Sequence, residues 1–480
     1  MNLSIAVTLL FLSFFASIAL TGFLRNFAKA KNILIDIPNK SRKFHFRPTP
    51  LIGGISIHAS MLIASLMMLF LVDYKYDFTF DGFHLSPSDE DQRLAEKGYS
   101  KQLSIQGKDG KYLENYRINL LTEENTATSS PSYKVRIGSS PETQLKIIQL
   151  EEGTFKVMLP NGGSKFFKAS ESGIVEIGEA GEPISLPINV INKSANFYPF
   201  SSFTVAFVLM AVLLQGFTLL DDAFGMRPWK RLLAQAIASL AVIIFGNIFI
   251  RSLQVSMLGI NLELGYFGIP FTIFAVAGIV NAFNMIDGIN GLCAFFALIA
   301  MGALQIASGY NIENYSLVIA MGSILGFLLY NLGFLGTKRR VFLGDNGSTF
   351  LGFLVAWTCI NYSQADAETQ ISLIKPVTCL WIVAIPLLDC IGVMIGRAIQ
   401  GIDPFNPGRD HIHHKLQAYT GSSDDTLIYL ISLGVFCAAS GVAIEVFISS
   451  SELSLALFIG FAACYYMWAH KLSQLSPRHQ

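Results

Sequence analysis

Four polar clusters interrupt a chain that is otherwise strongly apolar, and their residue types suit phosphoryl chemistry. Asp221 and Asp222 stand side by side in LLDDAFG. Adjacent carboxylates repel unless a cation or a proton intervenes, so the pair favours a divalent metal or one carboxyl with a raised pKa. Asp345 lies between Gly344 and Gly347 in FLGDNGS, where glycines let backbone N–H groups approach phosphate oxygens while a carboxylate holds Mg²⁺. Asn281, Asn284 and Asp287 recur every third residue in NAFNMIDGINGL, which places them on one helix face. At the edge of a membrane such groups are costly unless they meet a ligand or partner helices. His411, His413 and His414 follow Arg409 in GRDHIHHKL. No Cys or tightly placed carboxylate completes a tetrahedral zinc site with them, so imidazoles and Arg409 fit phosphate and hydroxyl recognition better.

The elements that must position these clusters are membrane helices. The chain is 52% hydrophobic and strung with apolar windows of about twenty residues, the length that crosses roughly 30 Å of hydrocarbon. The fold class expected is an all-α polytopic membrane protein of about 11 transmembrane helices, near 3–24, 51–72, 199–220, 231–250, 267–285, 291–308, 314–334, 347–362, 371–395, 426–448 and 454–471. The first window lacks a basic leader and a small-residue cleavage site, and is expected to be retained. Loops bearing Lys29, Lys31, Arg42, Lys43 and Arg47, then Arg227, Lys230 and Arg231, then Lys338, Arg339 and Arg340, then Arg397, Arg409 and Lys415 alternate with loops nearly free of cations. The positive-inside rule then puts the amino terminus outside and the carboxyl terminus inside, with all four clusters on the cytosolic side. Lysine and arginine balance aspartate and glutamate at 34 each, which argues against a nucleic-acid partner. The six cysteines lie in apolar segments, unlike zinc ligands, and read as small buried hydrophobes.

Between the second and third windows the composition turns charged, Ser-rich and Gly-rich. Alternating segments at 133–137, 144–150, 154–159 and 173–177 predict strands and hairpins. The expected organisation is helices one and two with a basic cytosolic loop at 1–73, a small β-rich extracytoplasmic insertion at 74–198, and a transmembrane catalytic core at 199–480.

In order along the chain, DIPNKSRKFHFRPTPLIGG, LLDDAFG, NAFNMIDGINGL, FLGDNGSTFLG and PFNPGRDHIHHKL resemble the motifs of the polyprenyl-phosphate N-acetylhexosamine-1-phosphate transferases. The resemblance spans 1–73 and 199–480 and leaves the insertion unexplained. It implies transfer of a sugar-1-phosphate from a UDP-amino sugar to a polyprenyl phosphate, with release of UMP and a need for Mg²⁺ or Mn²⁺. The His-Ile-His-His form is similar to that of the bacterial UDP-GlcNAc:undecaprenyl-phosphate branch, which starts O-antigen, enterobacterial common antigen or teichoic acid linkage units. The alternative is the peptidoglycan branch, which uses UDP-MurNAc-pentapeptide. By motif position, the resemblance makes Asp345, with Asp222, the metal ligands and leaves open whether Asp221 or Asp222 is the base. It puts Asn284 and Asp287 on the nucleotide side, Phe342 where relatives stack on uracil, and His411, His413 and His414 on the sugar and pyrophosphate. Lys43, His45 and Arg409 join the substrate-binding set. The implied setting is the bacterial inner membrane among its lipids, with undecaprenyl phosphate as acceptor; an extracytoplasmic protein partner for the insertion and a homodimer are left open. The rival class is a transporter, whose acids would lie near the bilayer midplane and whose halves would repeat. The chain shows no such repeat.

Overall fold

Long apolar runs satisfy their own backbone groups as helices, the form hydrocarbon permits. The computed structural model describes residues 3–36, 47–71, 202–257, 260–308, 315–364, 372–403 and 408–475, and between 100 and 191 the backbone of eight strands. Lys43 and His45 lie outside the described residues, as does the side chain of Asp222. The helices are α1 (Leu3–Lys31), α2 (Gly53–Leu71), α3 (Ser202–Phe224), α4 (Pro228–Gly246), α5 (Gly268–Ile286), α6 (Leu292–Ala307), α7 (Tyr315–Asn331), α8 (Gly344–Ser363), α9 (Pro376–Ile382), α10 (Ala384–Ile399), α11 (Ile412–Thr420), α12 (Ser423–Ala443) and α13 (Ser451–Leu475). The protein is a mostly helical, multi-pass membrane protein. Six helices, at Ser4–Lys31, Phe203–Asp221, Pro228–Gly246, Gly265–Ile286, Ser423–Ile448 and Ser451–Leu475, are long and apolar enough to cross a membrane.

The window at 371–395 is not one straight helix, as the apolar run suggested. It is α9 and α10, bent by 80° at Val383. Pro386 explains the break: its missing N–H and its ring remove the bond to the carbonyl of Ile382, four residues back. Three further apolar helices, Gly53–Met68, Leu292–Ala307 and Tyr315–Asn331, are shorter than a full span.

Helix α8 is enclosed by protein along nearly its whole length, from Asn346 to Ser363, and packs against α2, α3, α5 and α6. Because protein rather than lipid surrounds it, it can carry Asn346, Ser348 and Thr349 at its amino-terminal end. Glycines permit this crowding. A Cβ on Gly54 of α2 would sit 2.3 Å from the Gly347 Cα, and one on Gly352 would sit 2.8 Å from the Val280 Cα of α5. The α2–α8 contact also fixes the approach to α8. Gly53 N donates to Phe342 O at 3.1 Å, Gly54 N to Leu343 O at 3.3 Å, and Phe342 N to Pro50 O at 2.9 Å. Short strands β1 (Ile35–Asp36) and β2 (Thr49–Pro50) pair antiparallel next to this junction.

A second compact unit centres on Asp73–Pro199. Its strands β3 (Ser100–Gln106), β4 (Tyr112–Leu120), β5 (Ser132–Ile137), β6 (Thr143–Glu151), β7 (Thr154–Met158), β8 (Ser164–Ser170), β9 (Gly173–Ile177) and β10 (Asn189–Ile191) form an antiparallel sheet of order β10-β3-β4-β5-β6-β7-β8-β9. A separate hairpin, β11 (Ser252–Met257) with β12 (Ile260–Glu263), joins α4 to α5. Of the cysteines, Cys293, Cys359, Cys390 and Cys437 are buried thiols, Cys379 is half-buried and Cys464 exposed.

Candidate active site

The amino-terminal turn of α8 and the facing parts of α3, α4 and α5 surround a cleft lined by Asp221, Arg231, Gln235, Asn281, Asn284 and Asp345 among others. Arg231, in the first turns of α4, bridges two carboxylates. Its Nε pairs with Asp221 Oδ2 and its Nη1 lies 3.2 Å from Asp345 Oδ2. Asp221 is buried, whereas the Asp345 side chain is 48% exposed to the cleft. The second Asp221 oxygen accepts from Met226 N at 2.6 Å, so both its oxygens are engaged. Pro at the first position of α4, after an extended Arg227, sets the turn that returns Arg231 toward α3.

The carboxamides of α5 are held by α4 and α8. Asn281 donates to Gln235 Oε1 at 2.9 Å, and Asn284 donates to Ser348 Oγ at 3.0 Å. Three-residue spacing brings both to the cleft. Asp287 has already left the helix, ending α5 as its carboxyl-terminal cap. Its pKa is raised well above the ordinary carboxylate value, first by burial and then by the Asp345 charge.

The histidines enter beside Asp287. His413 is 1% exposed, and its ring lies so close to Gly288 that any Cβ there would meet Nε2. Neither of its ring nitrogens has a hydrogen-bond partner among the described residues. Burial, then His414 and His411, lower its pKa well below the usual imidazole value, so it is neutral, with one donor and one acceptor to offer. A buried polar atom without a partner costs about 1–3 kcal/mol, a cost that a ligand hydroxyl or phosphate would remove. His414 is also shifted down, by burial ahead of His411 and Arg409. Arg409 is exposed, and Phe342 lies half-buried on the strand-like approach to α8.

Three contributors escaped sequence reasoning. Arg231 registered there only as a topological cation. Gln235 lies in an apolar helix, but Asp389 carried a usable signal, being an acid inside an apolar window. It is buried, and it accepts from His411 Nδ1 at 2.8 Å and Ile412 N at 2.7 Å.

Residues 204–363, which carry Asp221, Arg231, Asn281, Asn284, Asp287 and Asp345, match the family described as glycosyl transferase family 4. A Haemophilus influenzae protein named undecaprenyl-phosphate alpha-N-acetylglucosaminyl 1-phosphate transferase is 34% identical over 274 residues, 56% of this chain and 73% of that protein. The chain belongs to glycosyl transferase family 4. Proteins of the same name from Yersinia pestis and Escherichia coli K12 are 36% and 35% identical over 227 and 230 residues, covering 46% and 47% of this chain. In both cases the match spans 61% of the relative's length. The family match ends before the histidine loop, so the loop's place beside Asp287 comes from the fold.

The raised pKa of Asp287 gives a pH-dependent expectation. A folded state that holds its proton more tightly than the unfolded chain loses stability as pH rises from the unfolded carboxyl value through the folded one. Asp287→Asn removes that loss. The variant is expected to gain thermal stability over wild type near neutral pH, to show little gain near pH 4, and to lose turnover by about 10- to 100-fold. Melting curves across pH check the sign; an unchanged or lower Tm at neutral pH counts against a desolvated Asp287.

Proposed function

We propose that the protein transfers GlcNAc-1-phosphate from UDP-GlcNAc to undecaprenyl phosphate, releasing UMP and starting a lipid-linked cell-surface polysaccharide. The observation that carries this reading is the cleft in which Arg231 joins Asp221 to Asp345 between membrane helices. The names of the relatives supply the substrates. A phosphate oxygen of the lipid attacks the β-phosphorus of the UDP-sugar; a new P–O bond forms, the pyrophosphate P–O bond breaks, and UMP leaves. Two anions must meet for this, so charge neutralisation and positioning govern the rate. Arg231 brings cationic charge to the cleft on a fork suited to phosphate. Neutral His413 and its neighbours face the sugar and pyrophosphate, Asn284 and Asp287 the nucleotide, and Phe342 the uracil. A lipid phosphate, with a second pKa of about 6, is already largely ionised at neutral pH. Asp221, with both oxygens engaged, therefore anchors Arg231 rather than removing a proton.

The acidic lining of the cleft supports a divalent cation, Mg²⁺ or Mn²⁺, as the cofactor. Its acidic donors are all oxygen, the hard-cation preference, and the site between Asp221 and Asp345 already accepts positive charge from Arg231. Among the described residues no three His, Cys, Asp or Glu side chains form a ready cage. Mg²⁺ takes one or two carboxylates and completes its shell with water and substrate phosphates. Asp345, with Asp222, would hold it, and when bound it supplies electrostatic polarisation of the phosphoryl oxygens.

The cationic loops support a bacterial inner-membrane orientation with the amino terminus outside, the cleft cytosolic, and the connection between α2 and α3 as an extracytoplasmic β-rich insertion. On that reading each of the eleven apolar windows crosses the bilayer, the ninth as the bent pair α9–α10. The test is purified protein in nanodiscs with undecaprenyl phosphate and a panel of UDP-sugars, scored for UMP and lipid-linked product. Mg²⁺-dependent turnover with UDP-GlcNAc is expected. Turnover confined to UDP-MurNAc-pentapeptide would reassign the branch, and none with any UDP-sugar would overturn the reading.

A further inference from the structure

We infer that α10 clamps the histidine loop at two points and that Asp389, a positioning residue, dictates which nitrogen of His411 carries the proton. The inference rests on the transferase reading given above. Asp389 and Arg397 lie eight residues apart on α10, about two turns, and each grips one side of the segment 408–412. Arg397 Nε pairs with Asp410 Oδ2 at 2.9 Å, and the guanidinium lies so close to Gly408 that a Cβ there would fall 2.1 Å from Nη2. Asp389 Oδ1 accepts from Ile412 N at 2.7 Å, and Oδ2 from His411 Nδ1 at 2.8 Å.

The backbone contact has a plain cause. His411 is the amino-terminal cap of α11, and its side chain makes no capping bond, which leaves the first amides of that helix in need of acceptors. Asp389 serves from another helix, and its charge sits where the α11 dipole favours an anion. Since Oδ1 is committed to an obligate donor, Oδ2 is what faces the imidazole. A carboxylate only accepts, so Nδ1 must carry the hydrogen. Nε2 is then the atom left for chemistry: an acceptor toward a sugar hydroxyl when the ring is neutral, a donor toward a phosphate oxygen when it is charged.

Asp389→Asn separates positioning from mere support. Its carbonyl oxygen is needed by Ile412 N, so its NH₂ group turns to His411 and Nδ1 must become an acceptor. The proton moves to Nε2 while the loop keeps its hydrogen bonds. Asp389→Asn is expected to lower kcat by about 10- to 100-fold with KM for the UDP-sugar within about twofold. In His411→Gln the further change Asp389→Asn is expected to cost nothing more. Independently of turnover, ¹⁵N spectra of histidine-labelled protein in nanodiscs, assigned with His411→Gln, are expected to show Nδ1 protonated in wild type and Nε2 protonated in Asp389→Asn. Wild-type kcat in Asp389→Asn, losses that multiply in the double variant, or an unmoved His411 spectrum would each overturn the inference. Should wild type turn over no UDP-sugar, the transferase reading fails and the spectra alone decide the clamp.

Discussion

Asp345→Asn is expected to cut turnover by about 10²- to 10³-fold while leaving the protein folded, the scale seen when a preorganised electrostatic group at a reacting centre is lost. Folding should survive because Asp345 is half-exposed and its only described ion pair is to Arg231, which keeps its pairing with the buried Asp221. Exposed or half-exposed pairs contribute about 0–1 kcal/mol, and asparagine keeps the shape and the first-turn position in α8. What disappears is one negative charge at the mouth of the cleft. The loss should not be recovered by raising UDP-sugar concentration, since kcat rather than KM carries it, and adding Mg²⁺ should restore little. The measurement is UMP release across a Mg²⁺ titration with Tm in parallel. Turnover near wild type at limiting Mg²⁺ would remove Asp345 from the metal site. The substitution should also bring the Asp287 pKa down, because the Asp345 charge is its second cause of elevation after burial.

What the sequence discloses here is the chemistry along single elements. The spacing of Asn281 and Asn284 puts both on the cleft face of α5, and the glycines around Asp345 are the ones that let α8 approach α2 closely. What it hides is pairing across elements. Arg231 meets Asp345 over 114 residues of chain, and Asn284 meets Ser348 over 64; nothing local marks either partner. Arg231 looks like any cationic flank of a span, because the positive-inside pattern requires cations there whether or not they do chemistry. The bend at Val383 is legible in principle, since Pro386 forbids a bond to Ile382, but a predominantly apolar window at 371–395 reads more simply as one span. Asp389 was concealed in the same window, and only the fold shows that its charge is matched by His411 and the α11 amide. Spacing likewise made Asp287 a continuation of the Asn281–Asn284 face, whereas the helix ends before it and Asp287 caps that end, desolvated and within range of the Asp345 charge.

Arg231→Met is expected to exchange a built-in cation for a dissolved one. In wild type the guanidinium neutralises Asp221, which is buried, together with Asp345. Removing one partner of a buried pair leaves an uncompensated charge and costs about 3–5 kcal/mol when burial is complete. Here the Arg231 side chain is 36% exposed, and water screens part of the interaction, so a loss of about 1–3 kcal/mol is the scale to expect. Met226 N still donates to Asp221, which limits the damage to the turn after α3. In metal-free buffer the variant should melt below wild type. Addition of Mg²⁺ or Mn²⁺ should then raise its Tm by more than it raises that of wild type, because the ion no longer competes with the guanidinium for the Asp345 carboxylate. At a hundredfold excess over Kd such binding contributes about 2.7 kcal/mol, enough to offset the loss. The double variant Arg231→Met/Asp345→Asn should lose most of this metal response. Catalysis should not recover with stability, since a metal that stands in for Arg231 against the carboxylates does not supply its fork of donors to the lipid phosphate. Calorimetry or dye-monitored melting across a Mg²⁺ series checks the argument without any turnover. An Arg231→Met protein as stable as wild type without metal, or one whose Tm ignores millimolar Mg²⁺, would show that Arg231 and a metal do not share the Asp345 carboxylate.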